Sequence, residues 1–123
     1  MDVKKCLDTY ALMEISQQNP EFEVYLDSDF VITEITLAEF YGVILKDYDG
    51  KTAEYWFRKL EGYAVAVGKE ILKEAVKFRY ENKKKNISFF DAVGYMFSLL
   101  NGYLFVTGDK EFKGLKNVEF KQK

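Results

Sequence analysis

Short strand-like runs alternate with segments of helical period along the whole chain, and this alternation restricts the possible folds more than any other feature. Residues 3–7 form an apolar-leaning run that ends abruptly at Asp8-Thr9. Residues 30–33 are rich in β-branched side chains, 64–67 are small and apolar, and 103–107 make the clearest strand, closed by Gly108-Asp109. A last strand is expected at 118–120, after a short helical turn. Between the strands, helical spacing covers 11–18 and stops at Asn19-Pro20. A short helix is expected within 21–28, and 36–47 places Leu37, Phe40, Tyr41, Ile44 and Leu45 on one face. The period returns over 51–63 through Trp56, Phe57 and Leu60, and over 69–84 through Ile71, Leu72, Ala75, Val76 and Phe78. Ser88 caps a further helix that is apolar on nearly every side up to Leu100, the pattern of a deeply packed element. Strands alternating with helices read as βαβ units, so the expected fold class is α/β around a mostly parallel sheet.

The residue inventory then narrows the chemistry. The 123 residues suit one domain, and 48% hydrophobic beside 31% charged residues is a globular composition. A lone Cys6 excludes an internal disulfide and a multi-cysteine zinc site. The absence of histidine excludes Ser-His-Asp and Cys-His catalysis as well as His-ligated zinc and haem. Chemistry must therefore come from carboxylates, lysines, hydroxyls or a metal held by oxygen. The net charge of −2 excludes a strongly basic nucleic-acid coat but leaves room for a local basic patch. No apolar run approaches the ~20 residues of a membrane span, and no secretory signal is visible, so the expected location is cytoplasmic.

In open parallel sheets, ligands bind beyond the carboxyl ends of the strands. Asp8 follows the first strand there and Asp109 the fourth. Glu39 and Asp91 interrupt apolar stretches in the first turns of predicted helices. Each acid has an ordinary structural reading. Thr36-x-x-Glu39 and Ser88-x-x-Asp91 fit the capping box, while Asp8 and Asp109 fit turns after strands. Taken as a set, they allow another. Carboxylates converging on one sheet edge repel one another and raise their own pKa values unless a cation neutralises them. Oxygen ligands without imidazole or thiolate favour Mg²⁺ or Mn²⁺ over zinc. Two such ions about 4 Å apart suit in-line attack on a phosphodiester. Capping and metal binding are compatible, because a helix end can present a carboxylate to a cleft.

These spaced motifs resemble the PIN-domain nucleases, particularly the VapC-type toxin ribonucleases of prokaryotic toxin–antitoxin pairs. Leu7-Asp8-Thr9 resembles the opening strand and first acid, and Thr36-Leu37-Ala38-Glu39-Phe40 the second acidic motif. Phe90-Asp91-Ala92 is similar to the third, and Val106-Thr107-Gly108-Asp109-Lys110-Glu111-Phe112 to the fourth. The resemblance covers nearly the whole chain and implies one PIN-like nuclease domain over 1–123, built as a three-layer α/β/α sandwich around a five-stranded sheet. It further implies Mg²⁺- or Mn²⁺-dependent hydrolysis of RNA, a homodimer, no membrane, and a small antitoxin that blocks the site. Asp8, Glu39, Asp91 and Asp109 would be the metal ligands, directly or through water. Thr107 would bond a carboxylate or a bound water among the catalytic residues, and Thr9 could do the same beside Asp8. Many relatives carry Asn where this chain has Tyr10, a departure that bears on activity. Two other readings share the fold: a PIN nuclease of RNA processing, and a catalytically weak interaction module.

The remaining features have plainer readings. The aromatic residues at helical spacing are mostly core, but Tyr55-Trp56-Phe57 cannot all face one side of a helix, which leaves part of the cluster for a dimer or antitoxin contact. Lys83-Lys84-Lys85 reads as a solvated helix end favoured by the helix dipole, with contact to RNA phosphates as the other reading. Glu111 is expected to face solvent, and Cys6 to be a small buried apolar group.

Overall fold

Each strand sends alternate side chains to opposite faces, and this sorts the core into two halves. In β1 (Lys5–Leu7), Cys6 joins one half and Leu7 the other; in β4 (Leu104–Thr107), Phe105 and Val106 divide in the same way. In β2 (Phe30–Thr33), Phe30 and Ile32 oppose Val31. The structure is a computed structural model and describes residues 3–123. With β3 (Ala64–Val65) and β5 (Val118–Phe120), the strands form one sheet in the order β3-β2-β1-β4-β5, every pairing parallel.

Helices α1 (Thr9–Ser16), α2 (Pro20–Glu23), α3 (Glu34–Asp47) and α4 (Gly50–Leu60) cover the Leu7 face through Leu12, Ile15, Phe22, Phe40, Ile44 and Leu60. Helices α5 (Gly68–Glu81) and α6 (Phe89–Asn101) cover the Cys6 face. The result is the expected three-layer α/β/α sandwich. Helix α6 is packed deep, with Ala92, Val93, Gly94, Tyr95, Phe97 and Ser98 all buried. Its Tyr95 meets Phe105 and Phe112 at ring-centroid distances of 6.1 and 5.4 Å. A fully buried ring of this kind contributes on the order of 2–3 kcal/mol. Gly102, at φ 74°, ends α6 in the left-handed conformation and turns the chain into β4.

The elements differ from the sequence expectation in boundaries. Helix α3 starts at Glu34 rather than Thr36, because Thr33 is the N-cap, its Oγ1 accepting the Thr36 N–H at 3.0 Å. The third strand is only two residues long, since it pairs with β2 alone at its end. The 21–28 stretch divides into α2 and a 3₁₀ turn at Val24–Asp27.

The strand order positions the site. The chain moves outward from β1 through β2 to β3, then returns to the other side of β1 for β4 and β5. The reversal falls between β1 and β4, where Leu7 stands opposite Val106. A crevice opens beyond the carboxyl ends of strands at such a point.

Candidate active site

Asp8 lies directly beyond β1 at this reversal and is 1% exposed. Its N–H continues the β4 ladder by donating to Val106 O at 3.1 Å. Its Oδ1 accepts the Ala11 N–H at 2.8 Å and so caps α1. The turn reading of Asp8 is thus refined to a buried helix cap. Burial pushes its pKa up to about 7, the Thr107 hydroxyl and Ala11 N–H pulling the other way and the charges of Asp109 and Glu39 adding to the rise.

Asp109 follows β4 and caps the 3₁₀ turn Lys110–Phe112, its Oδ1 accepting the Glu111 N–H at 2.9 Å. Thr107 joins the two strand-end acids. Its Oγ1 accepts the Asp109 N–H at 3.0 Å, while its hydroxyl favours the ionised form of Asp8. The residue is buried, so this bridge is shielded from water.

Asp91 sits in the first turn of α6, whose cap Ser88 accepts the Asp91 N–H at 3.1 Å. Burial raises its pKa to about 8, and Asp8, Glu39 and Asp109 each add to the rise. Glu39 lies in the second turn of α3 and is not part of a capping box, because Thr33 does the capping. Its Oε1 instead accepts a hydrogen bond from the Thr9 hydroxyl. Burial raises its pKa and Thr9 opposes the rise. The four acids anticipated from sequence therefore come within one another's fields at a single sheet edge.

Among the described residues, no three His, Cys, Asp or Glu side chains stand together in an arrangement ready to hold a metal ion. The donor chemistry nevertheless suits a hard divalent cation. All donors are oxygens, and a cation would offset the burial and repulsion that raise Asp8 and Asp91 above the ordinary carboxylate range. Glu39 and Asp109 each spend one named oxygen on Thr9 and on the Glu111 N–H. The placement is that of a self-repelling carboxylate cluster rather than a closed coordination shell.

Tyr10 packs against the turn that leads into Asp109. Its ring lies on Gly108 and 6.0 Å from that of Phe22, and its hydroxyl accepts the Lys123 N–H at 3.1 Å. Glu111 is not simply a solvent-facing acid, because its Oε2 accepts the Asn86 N–H at 3.0 Å. Sequence reasoning missed that tether and the capping by Thr33. The second had a signal, since Thr33, like Thr36, is a hydroxyl residue standing directly before a candidate first turn. Cys6 is fully buried, and burial pushes its thiol up to about 12, which makes it an apolar group as expected. Trp56 and Phe57 pack on the core, whereas Tyr55 is exposed beside Lys59.

An all-parallel sheet with four acids gathered near the carboxyl ends of its central strands defines an α/β domain with a carboxylate cluster at its switch point. The sequence matches the PIN domain family over residues 5–118, and the chain belongs to that family. Among solved structures it is similar to VapC20 of Mycobacterium tuberculosis, a sarcin–ricin loop cleaving toxin, at a TM-score of 0.76 and 13% identity, covering 94% of this chain and 98% of that one. A toxin–antitoxin complex from Klebsiella pneumoniae aligns at a TM-score of 0.73 and 18% identity over 94% of this chain and 95% of that one. DNA-bound VapBC from Salmonella typhimurium aligns at 0.70 and 19% over 98% of each. At these identities the likeness is one of fold. Among curated proteins, none matches the sequence. No helix among the described residues is long and apolar enough to cross a membrane.

Proposed function

We propose that this chain is a Mg²⁺- or Mn²⁺-dependent endoribonuclease, with Asp8, Glu39, Asp91 and Asp109 as the metal ligands, and that it is the toxin of a type II toxin–antitoxin pair. The observation that carries the reading is that burial first, and then the charges of Glu39 and Asp109, raise both Asp8 and Asp91 at one sheet edge, with Asp8 adding to the rise of Asp91. Structural caps alone gain nothing from such an arrangement, whereas a polyvalent cation does. A divalent ion held by these oxygens supplies water activation and charge neutralisation at a phosphodiester.

The chain's own residues prepare that site. The Ala11 N–H and Thr107 fix Asp8, the Thr9 hydroxyl orients Glu39, and the Glu111 N–H fixes one oxygen of Asp109. Partners of this kind orient ligating carboxylates and tune their basicity. Thr107 accepts the Asp109 N–H and favours ionised Asp8, so one side chain serves both strand-end acids. RNA as substrate is supported by the fold shared with a toxin that cleaves the sarcin–ricin loop. A small antitoxin as partner is supported by the likeness to toxin–antitoxin complexes. A homodimer, expected from the family resemblance, completes the reading.

The test is cleavage of RNA by purified protein with Mn²⁺ or with EDTA, beside an Asp8→Asn variant. Cleavage that needs metal and falls at least about a hundredfold in the variant is expected. Cleavage that ignores both EDTA and Asp8→Asn would sink the reading. Growth arrest on expression, relieved by a small protein encoded beside the gene, tests the toxin assignment separately.

A further inference from the structure

The cationic run Lys83-Lys84-Lys85 is exposed, and among the described residues none of its ammonium groups pairs with a carboxylate. The dipole of α5 attracts cations to its last turn, but Arg79 already occupies that turn, and the run lies beyond the cap Asn82. The loop is also tied down in a definite direction. Asn86 donates its N–H to Glu111 Oε2 at 3.0 Å, and Lys85 Nζ donates to Glu111 O at 3.2 Å. Arg79 Nε donates to Ile87 O at 2.9 Å. Glu111 is the residue whose N–H fixes Asp109, and Ser88, two residues beyond Asn86, caps the helix that carries Asp91. The run is therefore tied through Glu111 to the turn that Asp109 caps, and it leads directly into the cap of the helix that carries Asp91. Tyr80 stands on the same stretch, 69% exposed, with Lys83 Nζ 4.9 Å from its ring centroid.

We propose that residues 80–86 form a strand-binding lip of the crevice, where Lys83, Lys84 and Lys85 hold phosphates of single-stranded RNA and Tyr80 stacks on a base. The proposal rests on the ribonuclease reading for its choice of RNA. Its physical logic is independent: adjacent unpaired cations beside an exposed aromatic ring bind a flexible polyanion that carries flat bases. The lip also answers an electrostatic need, since four carboxylates repel the phosphates that must approach them.

The test reads binding without chemistry. Fluorescence anisotropy of a short labelled oligouridine is measured in EDTA, with wild-type protein, a Lys83→Ala/Lys84→Ala/Lys85→Ala variant, and a charge-matched Lys46→Ala/Lys51→Ala/Lys59→Ala variant. The lip variant should bind about tenfold or more weakly, and the slope of log affinity against log salt should fall by about 2, at ~0.7 per lost phosphate contact. Tyr80→Ala should weaken binding about fivefold while Tyr80→Phe retains it. Equal losses in the charge-matched variant, or no loss in the lip variant, would overturn the proposal. So would lip-dependent binding of polyglutamate with indifference to RNA, which would make the loop a protein contact. Should the triple variant fail to fold, Lys84→Glu, at an exposed position, gives the same reading. Lysine-dependent binding by a protein that cuts no RNA would refute the ribonuclease reading and retain the lip; cleavage with lysine-independent binding would do the reverse.

Discussion

Tyr10 lies so close to Gly108 that a Cβ built on the glycine would stand 2.4 Å from Tyr10 Cε1. The contact joins α1 to the turn between Thr107 and Asp109, the two residues that set one side of the crevice. Space, not an unusual backbone angle, is what the position requires, since Gly108 is not among the positive-φ glycines. Gly108→Ala should cost about 1–3 kcal/mol by overpacking and lower RNA cleavage by displacing Asp109. Tyr10→Ala removes the obstruction, so the double variant should be less destabilised than the sum of the two, by about 1 kcal/mol in chemical denaturation. Strict additivity would show that the ring is not what excludes the alanine.

Thr33 and Glu39 divide capping from function. Thr33 caps α3, and Thr33→Ala should lower stability by about 1 kcal/mol. Glu39 caps nothing, and burial disfavours its charge. Glu39→Gln should therefore leave the thermal midpoint unchanged or raise it, while abolishing cleavage. A loss of stability in Glu39→Gln comparable to that in Thr33→Ala would return Glu39 to a structural role.

Those two residues also show where sequence reasoning reached its limit. The α/β alternation was legible because strand ends carry abrupt polar or glycine stops, and those same stops displayed Asp8 and Asp109. The start of α3 was misplaced by the spacing of Thr33 and Thr36, either of which satisfies the local rule for a cap. Only the pairing of β2 with β1 and β3 decides between them. Convergence of the acids depends on strand order, which brings the ends of β1 and β4 together from opposite ends of the chain. The lysine run was visible as a motif, but its position beside the acids depends on Glu111, a contact across 25 residues.

Thr107 offers a test of how far the two strand-end acids act together. Thr107→Val keeps the shape of the side chain but removes the acceptor for the Asp109 N–H and the hydroxyl that favours ionised Asp8. Metal affinity, by titration calorimetry with Mn²⁺, should fall about tenfold, with a matching loss of cleavage at limiting metal. Unchanged affinity would show that the acids keep their placement without the bridge.

Gly94 makes a purely structural prediction of the same kind as Gly108. A Cβ there would approach Phe105 Cε1 to 2.7 Å, and Phe105 is fully buried between α6 and the sheet. The ring has no free side to swing toward, so Gly94→Ala should cost about 1–3 kcal/mol despite the better helix propensity of alanine. A stabilised variant in thermal unfolding would mean that α6 can shift away from β4.

The pH dependence of stability follows from the same acids. Asp8 and Asp91 bind their protons more tightly in the folded chain than the 3.8 typical of an unfolded aspartate, titrating near 7 and 8. Unfolding therefore releases protons throughout this interval, and raising the pH favours the unfolded state. The contribution is complete below about pH 4 and is progressively lost up to about pH 8. Because the chain has no histidine, no imidazole titrates across the window to mask the effect. In EDTA, the thermal midpoint should fall by roughly 5 °C or more between pH 5 and pH 8. Asp91→Asn should flatten that slope, raising the midpoint more at pH 8 than at pH 5. Millimolar Mn²⁺ should act in the same direction for a different reason, replacing protons as the counter-charge and stabilising the fold most where the carboxyls are ionised. A midpoint in EDTA that stays level from pH 5 to pH 8 would mean the acids are hydrated and independent, and the electrostatic case for a cation in the crevice would fail with it.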